Sequence, residues 1–240
     1  MTPAAASLHI GLTSSAGWLA EALEKPARDG RPQADLQFSH NNERVLLDDL
    51  EAGGLDAVLV HWLPADSELW FNPVALDGIV FVVHPSNPVD ELSLAQAHGL
   101  LTGKVGDWPA VGGDEQPVVL ILRENSAGLR RILSERLLSG QSVSPDTLIV
   151  SYDLALREKV ASEPGALGAL MRGNLGALKA LELDGVAAGP ETLASQAYPL
   201  TAPLYFVSPA EPQGALRAWL AWLQSAEGQT LIGENVGRVR

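Results

Sequence analysis

Short apolar runs alternate with amphipathic segments along almost the whole chain, and this alternation constrains the fold more than any other feature of the sequence. The runs "SLHIGL" (7–12), "DAVLVHW" (56–62), "GIVFVV" (78–83) and "PVVLIL" (117–122) have the length and composition of strands. Segments with helical spacing, such as "AGWLAEALEK" (16–25), lie between the strands. Strands that alternate with helices predict an α/β fold with mainly parallel sheets.

Residues with clear helix-start preferences mark several boundaries. Ser14 and Ser15 stand where the cap of the first helix is expected, and Ser225 stands where the last helix should begin. Pro212 is suited to open the helix that precedes this last one, because a residue in the first helical turn needs no amide hydrogen. No repeat, low-complexity tract or linker divides the chain. Two lobes would therefore have to be joined within compact structure.

The charge and composition exclude several classes of function. The net charge of −13 argues against a general nucleic-acid binder, which presents a basic surface. The chain has no cysteine, so disulfides and thiolate metal sites are excluded. No apolar run reaches the roughly 20 residues of a transmembrane helix. The N-terminus lacks the basic start and long apolar core of a signal peptide, so either the protein is cytoplasmic or a leader is missing from these residues.

A glycine-rich segment, "LLTGKVGDWPAVGG" (100–113), looks at first like a nucleotide loop. A P-loop needs four residues between its glycines and a Ser or Thr after the lysine, whereas three residues separate Gly99 from Gly103 and Val105 follows Lys104. The five histidines lack metal-ligand spacing, and no G-x-S-x-G nucleophile motif occurs. We therefore expect no metal, no cofactor and no enzymatic activity.

The same glycine-rich segment resembles the "TGK…W…GG" segment of phosphate-type substrate-binding proteins of ABC transporters. Further matches follow in the order of that family: "VVHPSNP" (82–88), "SEPGALG" (162–168), "YPLTAPLYF" (198–206) and "SAEGQTLI" (225–232). The resemblance runs from about residue 8 to residue 235. It implies the periplasmic-binding protein type II fold. On this interpretation the glycines form tight turns, and Trp108 packs the loop against the second lobe.

The family's architecture implies a division into two lobes with a ligand cleft between them. Lobe one would comprise residues 1–82 and 203–240, and lobe two residues 83–202, with crossings near Val83 and within 199–205. The implied function is the capture of a small, phosphate-like oxyanion for ABC-type uptake. The implied partners are this anion and an ABC permease, with no nucleic acid. We expect an extracytoplasmic monomer that meets the membrane only through the permease or a removed anchor.

The resemblance also implies which residues bind the ligand. Arg123 would clamp an oxyanion through paired N–H groups, and helix-start hydroxyls and amides would complete the site. His61 stands where the family has an aspartate that accepts a ligand proton, so it would offer a donor instead. The predicted ligand-binding residues are Thr13, Ser14, Ser15, His61, Arg123, Asn125, Ser126 and Gly128.

Some positions depart from the family pattern. Ala127 and Leu129 replace a serine and a threonine, and Ala202 replaces a frequent arginine. Glu43 would repel an anion if it pointed inward, and we interpret it as a solvated helix start. Two alternatives therefore stay open. The chain could be a sensor or interaction module with a degenerate pocket, or a tungstate or molybdate binder, since that branch has a strand ending like "VLVH".

Overall fold

The computed structural model describes residues 6–28 and 34–239. Its strands, in chain order, are β1 (Ala6–Thr13), β2 (Ala34–Asn41), β3 (Ala57–Val60), β4 (Trp70–Val83), β5 (Glu91–Leu92), β6 (Val119–Arg123), β7 (Leu148–Val150), β8 (Ala166–Met171), β9 (Lys179–Ala180), β10 (Glu182–Leu183) and β11 (Thr201–Ser208).

Helices lie between most of these strands. They are α1 (Gly17–Arg28), α2 (Glu43–Glu51), α3 (Leu94–Leu101), α4 (Gly128–Leu133), α5 (Asp153–Ser162), α6 (Pro190–Ala194), α7 (Gly214–Leu223) and α8 (Ala226–Ile232). A 3-10 turn, Ser14–Ala16, precedes α1, and a π-helical segment, Ser134–Leu138, continues α4. None of the helices in the described ranges has both the length and the apolar character that crossing a membrane requires.

The strands confirm the predicted two-lobed α/β fold. Their order is β2-β1-β3-β11-β4-β8-β6-β7, with β9 also paired to β4. In the first lobe, β1 pairs in parallel with β2 and β3; in the second, β6 pairs in parallel with β7 and β8. Antiparallel pairs occur around β4 and β11. Parallel pairs thus build the body of each lobe, and the long strand β4, which pairs with β11 in the first lobe and with β8 in the second, connects the lobes.

The long strand β4 belongs to both lobes. Its first part, up to Gly78, pairs with β11, and its second part, from Ile79, pairs with β8. The Ile79 N–H donates to the carbonyl of Leu200 at 3.0 Å, just before β11 begins. The chain therefore crosses between the lobes at two adjacent, hydrogen-bonded positions. The predicted lobe one ends a few residues later, at residue 82.

Trp108 has the packing role predicted from the sequence. Its side chain is fully buried, and its indole N–H donates to the carbonyl of Gly165 at 2.9 Å. The turns around it use glycines with left-handed backbone, Gly103 at φ 74° and Gly112 at φ 89°. Lys104 instead points to the surface, where it donates to Gln141. The segment is thus a structural loop of the second lobe.

Two of the predicted helix starts can be compared directly with the structure. Ser225 is the N-cap of α8, as predicted, and its hydroxyl accepts the N–H of Gly228 at 3.3 Å. The prediction for Pro212 is wrong, because α7 begins at Gly214 with Gln213 as its N-cap. Pro212 lies just before the helix rather than in its first turn.

Candidate functional site

The cleft between the lobes is bordered by the ends of two strands and the helices that follow them. From the first lobe come the end of β1, the 3-10 turn after it and the start of α2. From the second lobe come the end of β6 and the start of α4. Helix starts leave backbone N–H groups without partners inside the helix, so both sides of the cleft carry hydrogen-bond donors. The structure closes these two sides onto each other.

Arg123, the last residue of β6, is 1% exposed. Its guanidinium pairs with Asp153 and, at 3.2 Å, with Glu124. It also donates across the cleft to the Ser14 hydroxyl at 3.2 Å and to the Asn42 amide oxygen at 3.5 Å. Burial lowers the pKa of Arg123, but the Asp153 and Glu124 carboxylates outweigh burial and hold the pKa above its ordinary value. Arg123 therefore reaches the cleft with its positive charge already balanced.

Asn174 extends the Arg123 network across the cleft, and sequence reasoning missed it. Its amide donates to Asp153 at 2.6 Å and to the backbone carbonyl of Ser14 at 3.1 Å. Asp153 thus accepts from both Arg123 and Asn174. Nothing in the sequence pointed to Asn174, because it lies in a short turn with no motif of its own. These contacts tie the first-lobe turn at Ser14 to the second lobe.

His61 is buried beneath the cleft, at the end of β3. Its Nδ1 lies 3.0 Å from the Ser15 hydroxyl, and its Nε2 lies 3.4 Å from a carboxylate oxygen of Asp77. The other oxygen of Asp77 accepts the N–H groups of Gly78 and Gly173. Both imidazole nitrogens therefore face side chains of the first lobe. A ligand would have to replace one of these neighbours to contact the ring.

Glu43, the first residue of α2, is the side chain that most changes the prediction for the site. It is 2% exposed, so our interpretation of it as a solvated helix start is wrong. One carboxylate oxygen accepts the Thr13 hydroxyl at 2.7 Å, and the other accepts the Gly128 N–H at 2.8 Å. Thr13 belongs to the first lobe and Gly128 to the second. The carboxylate therefore bridges the cleft through one hydrogen bond to each lobe.

The remaining predicted residues of the second lobe separate into two positions. Ser126 faces the cleft, where its hydroxyl accepts the amide of Asn42 at 3.2 Å. Asn125 is exposed, and its amide oxygen accepts from Arg130 at 3.0 Å. The structure thus brings Thr13, Ser14, Ser15, His61, Arg123, Ser126 and Gly128 around the cleft, and it leaves Asn125 outside this group.

Ser14 and Ser15 do not act as the simple helix caps that we expected. The 3-10 turn that contains them has Thr13 as its N-cap, and this residue makes no side-chain cap bond. The Ser14 hydroxyl accepts from Arg123, and the Ser15 hydroxyl contacts His61. Each hydroxyl thus contacts a side chain that is distant along the chain.

The mouth of the cleft is held by Trp62. Its indole N–H donates to Glu135 of the second lobe at 3.0 Å. The guanidinium carbon of Arg131 lies 4.7 Å from the centre of its ring, a cation–π geometry. Among the described residues, no three His, Asp or Glu side chains gather as a metal site would require. The cleft is therefore a closed, polar site built from hydroxyls, amides and balanced ion pairs.

Two lobes joined by adjacent crossings, with hydroxyls and a helix-start backbone N–H that bond across a closed cleft, define a two-lobed ligand-binding protein. A family model extends this conclusion. The model described as "PBP superfamily domain" matches residues 2–227, and the chain belongs to that family.

Individual relatives agree with the predicted resemblance. The chain is 25% identical to the phosphate-binding protein PstS of Bacillus subtilis (strain 168), over 98% of this chain and 81% of that protein. It superimposes with a TM-score of 0.90 on a candidate phosphate ABC transporter substrate-binding protein of Clostridium perfringens with bound phosphate, at 22% identity over 98% and 100% of the two chains. An ABC-type phosphate transport receptor of Vibrio cholerae gives a TM-score of 0.75, at 22% identity over 95% and 97%. These structures share the fold of this chain.

Proposed function

We propose that this protein is the substrate-binding component of an ABC uptake system and captures a small, phosphate-like oxyanion in the interlobe cleft. One observation carries the proposal. The Thr13 hydroxyl and the Gly128 N–H, from opposite lobes, together hold both oxygens of a carboxylate. We call this pair of donors the anion seat. Relatives named for phosphate binding and phosphate transport support the choice of ligand class.

The chemistry of the seat suits capture followed by closure. Each lobe contributes a donor, so an oxyanion between them gains its full set of hydrogen bonds only when the lobes are together. Ser14 and Ser126 lie beside the seat and are further donors in the proposal. Arg123 contacts Ser14 from the second lobe, and the Asp153 and Glu124 carboxylates balance its positive charge. The proposed protein works outside the cytoplasm as a monomer and delivers the anion to a permease.

The test is a thermal-shift screen of the protein against phosphate, sulfate, tungstate, molybdate and a small organic acid. A ligand at about 100 times its dissociation constant stabilises the folded state by about 2.7 kcal/mol. Thr13→Val keeps the side-chain shape but removes the seat's hydroxyl, so it should reduce the shift. If no anion raises the melting temperature at millimolar concentration, the oxyanion function is refuted. If tungstate or molybdate gives a larger shift than phosphate, the protein is an oxyanion binder that prefers tungstate or molybdate to phosphate.

A second candidate is a sensor or interaction module that has kept the fold without transport. The occupation of the anion seat by Glu43 favours it, because a seat filled by the chain itself is closed to a ligand that cannot displace a carboxylate. This candidate predicts no thermal shift with any anion of the panel. The same screen therefore separates the two functions.

A further inference from the structure

We infer that Glu43 is an internal occupant of the anion seat, which holds the lobes closed when no ligand is present and which a captured oxyanion must displace. The first half of this inference concerns the chain alone. The second half rests on the proposed oxyanion function, and the experiments below test the two halves separately.

The geometry of Glu43 is that of a bound anion rather than of a local helix contact. Each carboxylate oxygen accepts one hydrogen bond, at 2.7 Å from Thr13 and at 2.8 Å from Gly128. Gly128 begins α4, and its N-cap residue, Ala127, offers no side-chain cap. As the first residue of the helix, Gly128 has an N–H without an acceptor inside the helix. Glu43 supplies that acceptor from the opposite lobe.

The burial of Glu43 makes its position dependent on closure. A buried carboxylate is costly unless hydrogen bonds or a cation compensate it. Within the described residues, no Lys, Arg or His pairs with Glu43: Arg44 pairs outward with Asp48, and Arg123 pairs with Asp153 and Glu124. The compensation therefore comes from the Thr13 and Gly128 donors, and the second of these is present only while the lobes are together.

An oxyanion and the Glu43 carboxylate cannot share the seat. Both would need the same hydroxyl and the same N–H, and both carry negative charge, so their proximity in a buried site is unfavourable. There is also no spare room. A methyl group added at Gly128 would overlap the Glu43 carboxylate. The apparent affinity for the ligand is therefore the affinity of the vacant seat multiplied by the fraction of molecules in which Glu43 has left it.

Lobe closure without any anion is the first test. Since the chain has no cysteine, one dye pair can be placed by introducing cysteines at Asp49 of α2 and Glu158 of α5, both exposed and in different lobes. Glu43→Ala should lengthen the dye distance relative to the parent protein. Glu51→Ala, an exposed carboxylate on the same helix, is the matched control and should not.

Two further measurements distinguish the loss of the carboxylate from the seat from any general effect of substituting Glu43. Gly128→Ala should expel the carboxylate without removing it, and so should also lengthen the distance. Acetate should shorten the distance in Glu43→Ala by placing a free carboxylate in the seat, and it should not alter the parent protein. If folded Glu43→Ala and Gly128→Ala both stay as closed as the parent, the inference is overturned.

Displacement is the second test, with inorganic phosphate as the probe in calorimetry. Glu43→Ala should bind phosphate about tenfold or more tightly than the parent, because its seat is vacant before the ligand arrives. If phosphate binds the parent and Glu43→Ala with equal affinity, the displacement half is wrong while the proposed function stands. If neither protein binds phosphate or any other anion of the panel, the proposed function fails, and closure by Glu43 is judged from the dye distances alone.

Discussion

The buried ion pair of Arg123 gives the clearest prediction about stability. Arg123→Met removes the guanidinium but keeps much of the side-chain volume. Asp153 then stays buried with the Asn174 amide as its remaining side-chain donor, whereas Glu124, which is 24% exposed, can turn to solvent. Removing one partner of a buried ion pair costs about 3–5 kcal/mol, and the partial exposure of Glu124 places the expected loss near the lower end, about 3 kcal/mol.

This loss can be measured by denaturant unfolding and by melting. For a chain of this length, about 3 kcal/mol corresponds to a fall in melting temperature of about 6–12 °C. The double variant Arg123→Met/Asp153→Asn removes the unpaired charge, so it should recover most of the lost stability. If Arg123→Met loses less than about 1 kcal/mol, or if the second substitution adds to the loss, the buried carboxylate is not the cause and the reasoning is refuted.

Two further predictions concern buried aromatic side chains. Trp108→Ala should destabilise the protein by about 3–5 kcal/mol in denaturant unfolding, because it empties a buried site and leaves the Gly165 carbonyl without its donor; the exposed-site control Leu154→Ala should stay within about 0.5 kcal/mol. Burial raises the pKa of Tyr198, so the folded state keeps its proton at a pH where the unfolded state loses it. The free energy of unfolding should therefore fall as pH rises above about 10, and Tyr198→Phe should lack this part of the decline; parallel pH profiles for the two proteins would contradict it.

The fold was predictable wherever strands are buried and apolar. The strand β3 and the second half of β4 are fully buried, and their apolar runs predicted them. The strand β2 was not predicted, because most of its side chains are exposed at the edge of the sheet and its sequence, "ADLQFSHN", is largely polar. The first half of β4 contains Asn72, Pro73 and Asp77, which are unfavourable in strands, and its pairing with β11 overrides that preference.

In the site, only the residues that match a motif of the family could be predicted from the sequence. Thr13, Arg123 and Gly128 were placed at the cleft by motif, and the structure brings them there. Glu43 was misjudged because its partner Gly128 is 85 residues away along the chain. A glutamate in a first helical turn ordinarily faces solvent and favours the helix dipole. The Thr13 hydroxyl and the approach of the second lobe turn its side chain inward, and local sequence contains no information about either.

The crossing strands β4 and β11 also determine how the resting position of the lobes can change. The two crossings lie side by side where the Ile79 N–H donates to the Leu200 carbonyl, and the β4–β11 ladder beside them stays within the first lobe, so a twist confined to the crossings breaks no bond of that ladder. The balance between open and closed forms is then governed by a few side chains facing the gap. Replacing one of these side chains, for example a hydroxyl by a carboxylate, can convert lobes that close only around a ligand into lobes that close without one.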